Sequence, residues 1–326
     1  MTVTMKDIAK RANVVPMTVS LALRDRVGVS EEKREEIKRI ARQMGYKPSF
    51  FAHGLQGQRT HSIGIMWSLW GGPPMEMVRD LSLRAMHRNY VSYVVDSLSD
   101  PAIISRTLDE LSRRRVDAMV AQCIPGQIPD ALKKFPAAVA VSEGPWKGGV
   151  DYINYDRRVG IREMARHFVN AGRRRPMVLF SHHANLSKAQ AFLDEFRQLG
   201  VEPASDANVM LPDRQQDVTK DAIEHAVGRR EWFPDAIFAT TDRVAAAGMQ
   251  WLKDKGKRIP RDVAIGGFND DELCLFVTPQ LASVQFNSKL LADEIDRLIL
   301  TRLEDSTLPP RNVTVPMTFV YRESAG

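Results

Sequence analysis

Side chains able to grip a small molecule recur in this sequence at one kind of position, just past short apolar runs. Ile63-Gly-Ile-Met66 runs into Trp67-Ser-Leu-Trp70, and an indole face is a platform for the apolar side of a sugar or a base. Ala236-Ile-Phe-Ala239 leads to Thr-Thr-Asp242, and Val263-Ala-Ile-Gly266 leads to Gly-Phe-Asn269. A carboxylate and an amide in such places suit hydroxyl groups, although Asp242 is also well suited to capping a helix. Other chemistry is missing. The sequence has no phosphate-cradling G-x-x-x-x-G-K-[ST], no dinucleotide G-x-G-x-x-G after a strand, no H-E-x-x-H and no G-x-S-x-G. His182-His183 follow an apolar run, yet no Cys or His stands at a metal-ligand spacing from them, so a cleft or surface role is expected. Cys123 and Cys274 are too few to staple the chain and are expected to be reduced, buried thiols. Neither a cofactor nor a metal is expected, and no enzymatic activity.

The elements that must hold these positions follow from periodicity. Apolar runs at 63–66, 91–95, 118–121, 137–141, 177–180, 236–239 and 263–266 alternate with amphipathic stretches at 76–88, 103–113, 159–171, 188–199, 244–253 and 290–303. Such βα repetition means an α/β fold of doubly wound parallel sheets covered by helices, and this much chain suits two sheets better than one. Ligands of such sheets bind at the carboxyl ends of the strands, where the Trp, Asp and Asn side chains fall. A chain of 326 residues with 44% hydrophobic content has ample core, and no stretch approaches 18 uncharged apolar residues. The start lacks the basic-then-apolar order of a secretory signal, so a cytoplasmic, membrane-free protein is expected.

Charge singles out the first sixty residues. They hold twelve Lys and Arg against six Asp and Glu, which is the whole net charge of +6. Counterion release at a polyanion would favour this segment, with nucleic acid the obvious candidate. Thr4-Met-Lys-Asp7 has the capping-box form and begins one short helix. Asn13 can make a left-handed turn into a second, opened by Pro16, and Ser30 with Glu31 and Glu32 begins a third. Val19, Ala22 and Leu23 of the second helix face inward. Three short helices with a tight first turn make a helix-turn-helix.

Met5-Lys-Asp-Ile-Ala-Lys-Arg-Ala-Asn-Val14, Thr18-Val-Ser20, Val29-Ser-Glu-Glu-Lys-Arg34 and Met44-Gly-Tyr-Lys-Pro48 resemble the amino-terminal signature of the lactose/galactose repressor (LacI/GalR) family of transcription regulators. Tyr152-Ile-Asn-Tyr-Asp156, Pro234–Asp242, Ile259–Phe268 and Val320-Tyr-Arg-Glu323 are similar to landmarks of its periplasmic-binding-protein-like type I effector domain. The resemblance implies a helix-turn-helix domain at 1–47, a hinge at 48–60 and an effector domain at 61–326. The subdomains implied are 61–155 with 285–312, and 156–284 with 313–326. It also implies a homodimer on a near-palindromic operator, a small-molecule effector and a recognition helix at Pro16–Leu23. Implied DNA contacts are Thr4, Pro16, Met17, Thr18, Ser20, Leu21 and Arg24, with Ser49, His53 and the minor-groove wedge Leu55 in the hinge.

Departures from the family pattern shape these expectations. Asn13 and Val15 replace the usual Gly of the turn and Ser cap. Pro16, Met17 and Leu21 cannot make the bidentate bonds that identify guanine or adenine, which leaves apolar contact with thymine methyls. Gly54 disfavours a free hinge helix. Trp67, Trp70, Lys188, Asp242, Asn269 and Phe286 are the implied ligand contacts. A polyol or sugar fits Asp242 and Asn269 between aromatic walls. A nucleobase or a phosphorylated sugar near Lys188 and Arg243 is the alternative, as is an effector domain that only dimerises.

Overall fold

In a computed structural model the chain divides into two compact units, residues 1–60 and 61–326. The structure describes residues 3–46, 59–68, 72–98, 100–123, 127, 129–144, 148–181, 185–212, 218–228 and 230–326. Ser49, His53, Leu55, Trp70, His182 and His183 therefore lie outside the described residues.

The first unit contains α1 (Met5–Ala12), α2 (Pro16–Leu23) and α3 (Glu31–Gln43). Thr4 and Asp7 form the reciprocal capping box, and Asn13 takes the left-handed conformation at φ 53° that turns α1 into α2. Ile8, Ala9, Ala12, Val19, Ala22, Ile37, Ile40 and Ala41 make one buried cluster. Leu23, expected inward with Val19 and Ala22, is half-buried at its edge.

The second unit holds β1 (Ser62–Trp67), α4 (Pro73–His87), β2 (Val91–Asp96), α5 (Pro101–Arg113), β3 (Ala118–Gln122), β4 (Ala137–Ser142), β5 (Asp151–Asp156) and α6 (Arg157–Asn170). It continues with β6 (Pro176–Phe180), α7 (Leu186–Gln198), β7 (Asn208–Met210), α8 (Lys220–Val227), β8 (Ala236–Ala239), α9 (Asp242–Asp254) and β9 (Ala264–Asn269). It closes with α10 (Leu273–Phe276), β10 (Ala282–Gln285), α11 (Ser288–Glu304), β11 (Asn312–Pro316) and β12 (Thr318–Val320). The first sheet has the order β11-β5-β4-β3-β1-β2, all parallel. The second runs β12-β10-β9-β8-β6-β7, parallel except that β12 pairs antiparallel with β10.

The central strands of each sheet are covered on both faces, and alternation shows it. Ile63, Ile65 and Trp67 of β1 enter one core cluster while Met66 enters another with Leu108 and Leu111 of α5. Val178 and Phe180 of β6 divide likewise from Met177 and Leu179. Two-sided burial is why these strands read as unbroken apolar runs.

The chain passes from one sheet to the other after Asp156, after Gln285 and after Pro316. The expected changeover at residue 312 is corrected by this topology. Asn312–Pro316 pairs with β5 as the edge of the first sheet, and Met317 begins the return to the second. A strand exposed at alternate positions carries no apolar run, so its sheet could not be read from sequence.

Candidate functional site

In the helical unit, Val19 and Ala22 are consumed by the core, which turns Pro16 and Met17 outward at the start of α2. Met17 is 68% exposed and Val15 63% exposed, an apolar tip on a basic unit. Thr18 and Ser20 are half-buried beside them. Val15 gives α2 no side-chain cap, so the departure from a Ser at this position leaves its first amides without that bond. The Thr4 hydroxyl is engaged, donating to Asp7 Oδ2 at 2.6 Å. Leu21 is only half-exposed because it covers the turn after α2, where a Cβ on Gly28 would come within 3.5 Å of its Cδ1. Arg24 caps α2 and its charge reaches the Tyr46 phenol.

Charge counting treated every cation of this unit alike, and the structure separates them. Arg34 is buried, donating to the carbonyls of Arg26 at 2.9 Å and Val29 at 3.3 Å while facing Asp25 and Glu31. It fixes the loop between α2 and α3 and is not a phosphate ligand. Lys38 is tied to Asp25 at 2.7 Å. The buried face of α3 at the spacing of Arg34, Ile37 and Ala41 was the signal that could have found it.

In the larger unit, topology places a second site. The first sheet reverses direction between β1 and β3, and the second between β6 and β8, and such switch points open a crevice at the strand ends. At the first stand Ser68 and Gln122, with the Ser68 N–H donating to Gln122 Oε1 at 2.8 Å. At the second stand Ser181 and Thr240, both fully buried. Among the described residues, the side-chain hydroxyls of Ser68, Ser181 and Thr240 have no hydrogen-bond partner. Buried polar groups are nearly always satisfied, and these three hydroxyls at two switch points have bonding capacity that a polar ligand could use.

Charged groups close around it. Glu143, just past β4, pairs with Arg157 at the start of α6 at 2.6 Å, joining the end of the first sheet to a helix on the second. Burial raises the Glu143 carboxyl above its ordinary range against the pull of Arg157. Lys188 in the first turn of α7 is buried, donates to the Thr240 carbonyl at 3.3 Å, and lies 3.8 Å from the centre of the Phe268 ring. Burial, with Arg157 nearby, lowers its ammonium to about 7.

Two of the expected ligand contacts are engaged within the fold. Asp242 does not face the crevice with a free carboxylate. Oδ1 accepts from the Ser283 hydroxyl at 2.5 Å and Oδ2 accepts from the Asp271 N–H at 2.8 Å, with the side chain laid against Gly267. Thr241, not Asp242, caps α9. Trp67 is 1% exposed and meets Phe286 edge-on at 6.4 Å, so it is a core side chain and not an open platform. Phe286 in turn lies edge-on to Tyr155 at 6.1 Å. Tyr155, absent from the sequence-based candidates, has its phenol bonded to Gln122 and pushed up by burial. Asn269 is half-buried at φ 108°, a backbone state costly for a residue with a Cβ, and its carbonyl accepts from Phe286 N. Cys123 and Cys274 are free and buried.

Comparison with known proteins covers both units. Residues 4–49 match the bacterial regulatory proteins of the lacI family, and residues 165–325 match the periplasmic binding protein-like domain. The chain is 24% identical to catabolite control protein A of Staphylococcus xylosus over 326 residues, covering 99% of each. It is 23% identical to the ribose operon repressor of Escherichia coli (strain K12), again over 99% of each. Among solved structures, the lac repressor dimer bound to operator and the anti-inducer ONPF aligns with a TM-score of 0.80 at 20% identity, covering 100% of this chain and 99% of that one.

Proposed function

The chain belongs to the lacI family of bacterial regulatory proteins, and from that premise we propose that it is a ligand-responsive, sequence-specific DNA-binding repressor that works as a homodimer in the cytoplasm. The reading rests above all on one observation. A helix-turn-helix and a pair of switch-point crevices occur in one chain whose relatives, named as regulators, match it over nearly its whole length. On this reading α2 enters the major groove of a near-palindromic operator, with Pro16 and Met17 against thymine methyls and Arg24 on phosphate. The hinge residues Ser49, His53 and Leu55 belong to the same interface. The effector is a small hydroxylated molecule of the sugar type, bound where Ser68, Ser181, Thr240 and Gln122 offer hydroxyl and amide partners. Asn269 and Phe286 border it, and Asp242 acts through the loop it holds.

Selection from random duplexes by the full chain tests the reading. It should return a near-palindrome whose binding constant falls steeply with salt, and Met17→Ala should relax preference at thymine positions while Arg24→Ala weakens all sequences and lowers the salt slope by about 0.9. Failure to select any sequence would remove the DNA-binding assignment.

A further inference from the structure

Resting on the strand-end crevice as the effector site, we propose that the effector carries an anionic group, a carboxylate or a phosphoryl oxygen, which supplies the counter-ion that buried Lys188 lacks. The Lys188 ammonium has three N–H bonds and, among the described residues, one oxygen partner, the Thr240 carbonyl. The Phe268 face gives it a second, weaker contact. Among the described residues no carboxylate lies within ion-pair reach of Lys188. The two whose field it feels are both committed: Glu143 to Arg157, and Asp242 to Ser283 and the Asp271 amide. Arg157 has a further bond to the Ser187 hydroxyl at 2.9 Å and repels Lys188.

A buried cation with neither solvent nor counter-ion is unfavourable, and folds remove such groups or pair them. Here no counter-ion among the described residues completes the pairing. The ammonium bonds the carbonyl of Thr240, and among the described residues the hydroxyls of Thr240 and of Ser181, just past the ends of adjacent strands β8 and β6, have no partner. Two hydroxyl donors and an ammonium form a receptor for an oxyanion. A neutral polyol would satisfy the hydroxyls and leave the charge bare. The groups facing Lys188 from the elements around it are Arg157 on α6, Glu143 beyond β4 and Asp242 on α9. Because burial and Arg157 hold the ammonium near 7, an anion beside it restores the proton, so binding above that pH draws protons from solution.

The experiment compares the full chain with Lys188→Met and Lys188→Arg, by calorimetric melting and titration against inorganic phosphate, acetate and ribose at matched ionic strength. At least one anion should stabilise the wild type and Lys188→Arg, bind Lys188→Met at least tenfold more weakly, and be taken up with protons at pH 8 but not at pH 6. Phosphate against acetate separates phosphoryl from carboxylate recognition. Lys188→Met without ligand should melt no lower than wild type, which a purely structural lysine would contradict. The proposal is overturned if neither anion distinguishes wild type from Lys188→Met. Operator binding keeps the two readings apart. An anion bound through Lys188 that leaves operator affinity untouched refutes the effector site alone, whereas a neutral sugar that shifts operator affinity equally in Lys188→Met refutes the anion alone.

Discussion

Asp242 is a carboxylate used up by the fold, and its titration should reveal this. Desolvation holds its carboxyl at about 6 in the folded chain against an ordinary 3.8, despite the bonds from Asp271 and Ser283 that pull the other way. Between those values the folded protein binds more protons than the unfolded one. The stabilisation tied to protonation is complete below about 3.8 and lost as pH rises through about 6. Urea unfolding between pH 4 and 7 should therefore show a loss on the order of 1–3 kcal/mol in wild type that Asp242→Asn lacks. Identical pH dependence in the two proteins would show that the carboxyl is not buried. What sequence revealed about such residues was their address and not their direction. Asp242, Trp67, Lys188 and Asn269 do fall at or near strand ends, but a period-2 pattern cannot tell a carboxylate aimed into a crevice from one aimed at Ser283, forty-one residues later. Tyr155 was missed for the same reason, since Gln122 and Phe286, which it meets, lie on other elements.

Among elements, helices were legible from their apolar stripes, yet each begins before its stripe does. Stripes read at 103, 159 and 290 belong to helices starting at Pro101, Arg157 and Ser288, behind the caps Asp100, Asp156 and Asn287. A cap precedes the first inward-facing residue by a fraction of a turn, so a stripe marks the second turn better than the first. Helix α2 departs in placing an apolar residue, Val15, in the cap position with no side-chain bond. Val15→Ser should stabilise the helical unit by about 1 kcal/mol, read as slower amide exchange at Val19 and Ala22. Exchange unchanged or faster would mean that the uncapped amides already have partners. On operator DNA the same substitution should cost affinity if the apolar tip of Val15, Pro16 and Met17 meets thymine methyls, so stability and binding move in opposite directions.

At the scale of the whole molecule, the first sheet ends in a strand that a lone chain leaves uncovered. Strand β2 is an edge, and it exposes Val91, Tyr93 and Val94, while α4 packed beside it exposes Leu83 and Met86. An apolar edge of this kind invites association, and short α10 adds exposed Leu275 and Phe276. On the proposed function a second copy covers this surface, because a near-palindromic operator needs two heads held at fixed spacing. Val94→Asp places a charge in that contact. It should yield monomers by sedimentation at concentrations where wild type is dimeric, with thermal stability of the monomer's core little changed, since exposed substitutions cost within about 0.5 kcal/mol. Each head would then bind a half-site alone, so operator affinity should fall by at least a hundredfold while the salt slope drops to roughly half, as half the phosphate contacts are made per binding event. Tyr93→Asp serves as an independent trial on the same strand. If both variants remain dimers with full operator affinity, β2 is not the interface, and the exposed pair on α10 becomes the surface to test.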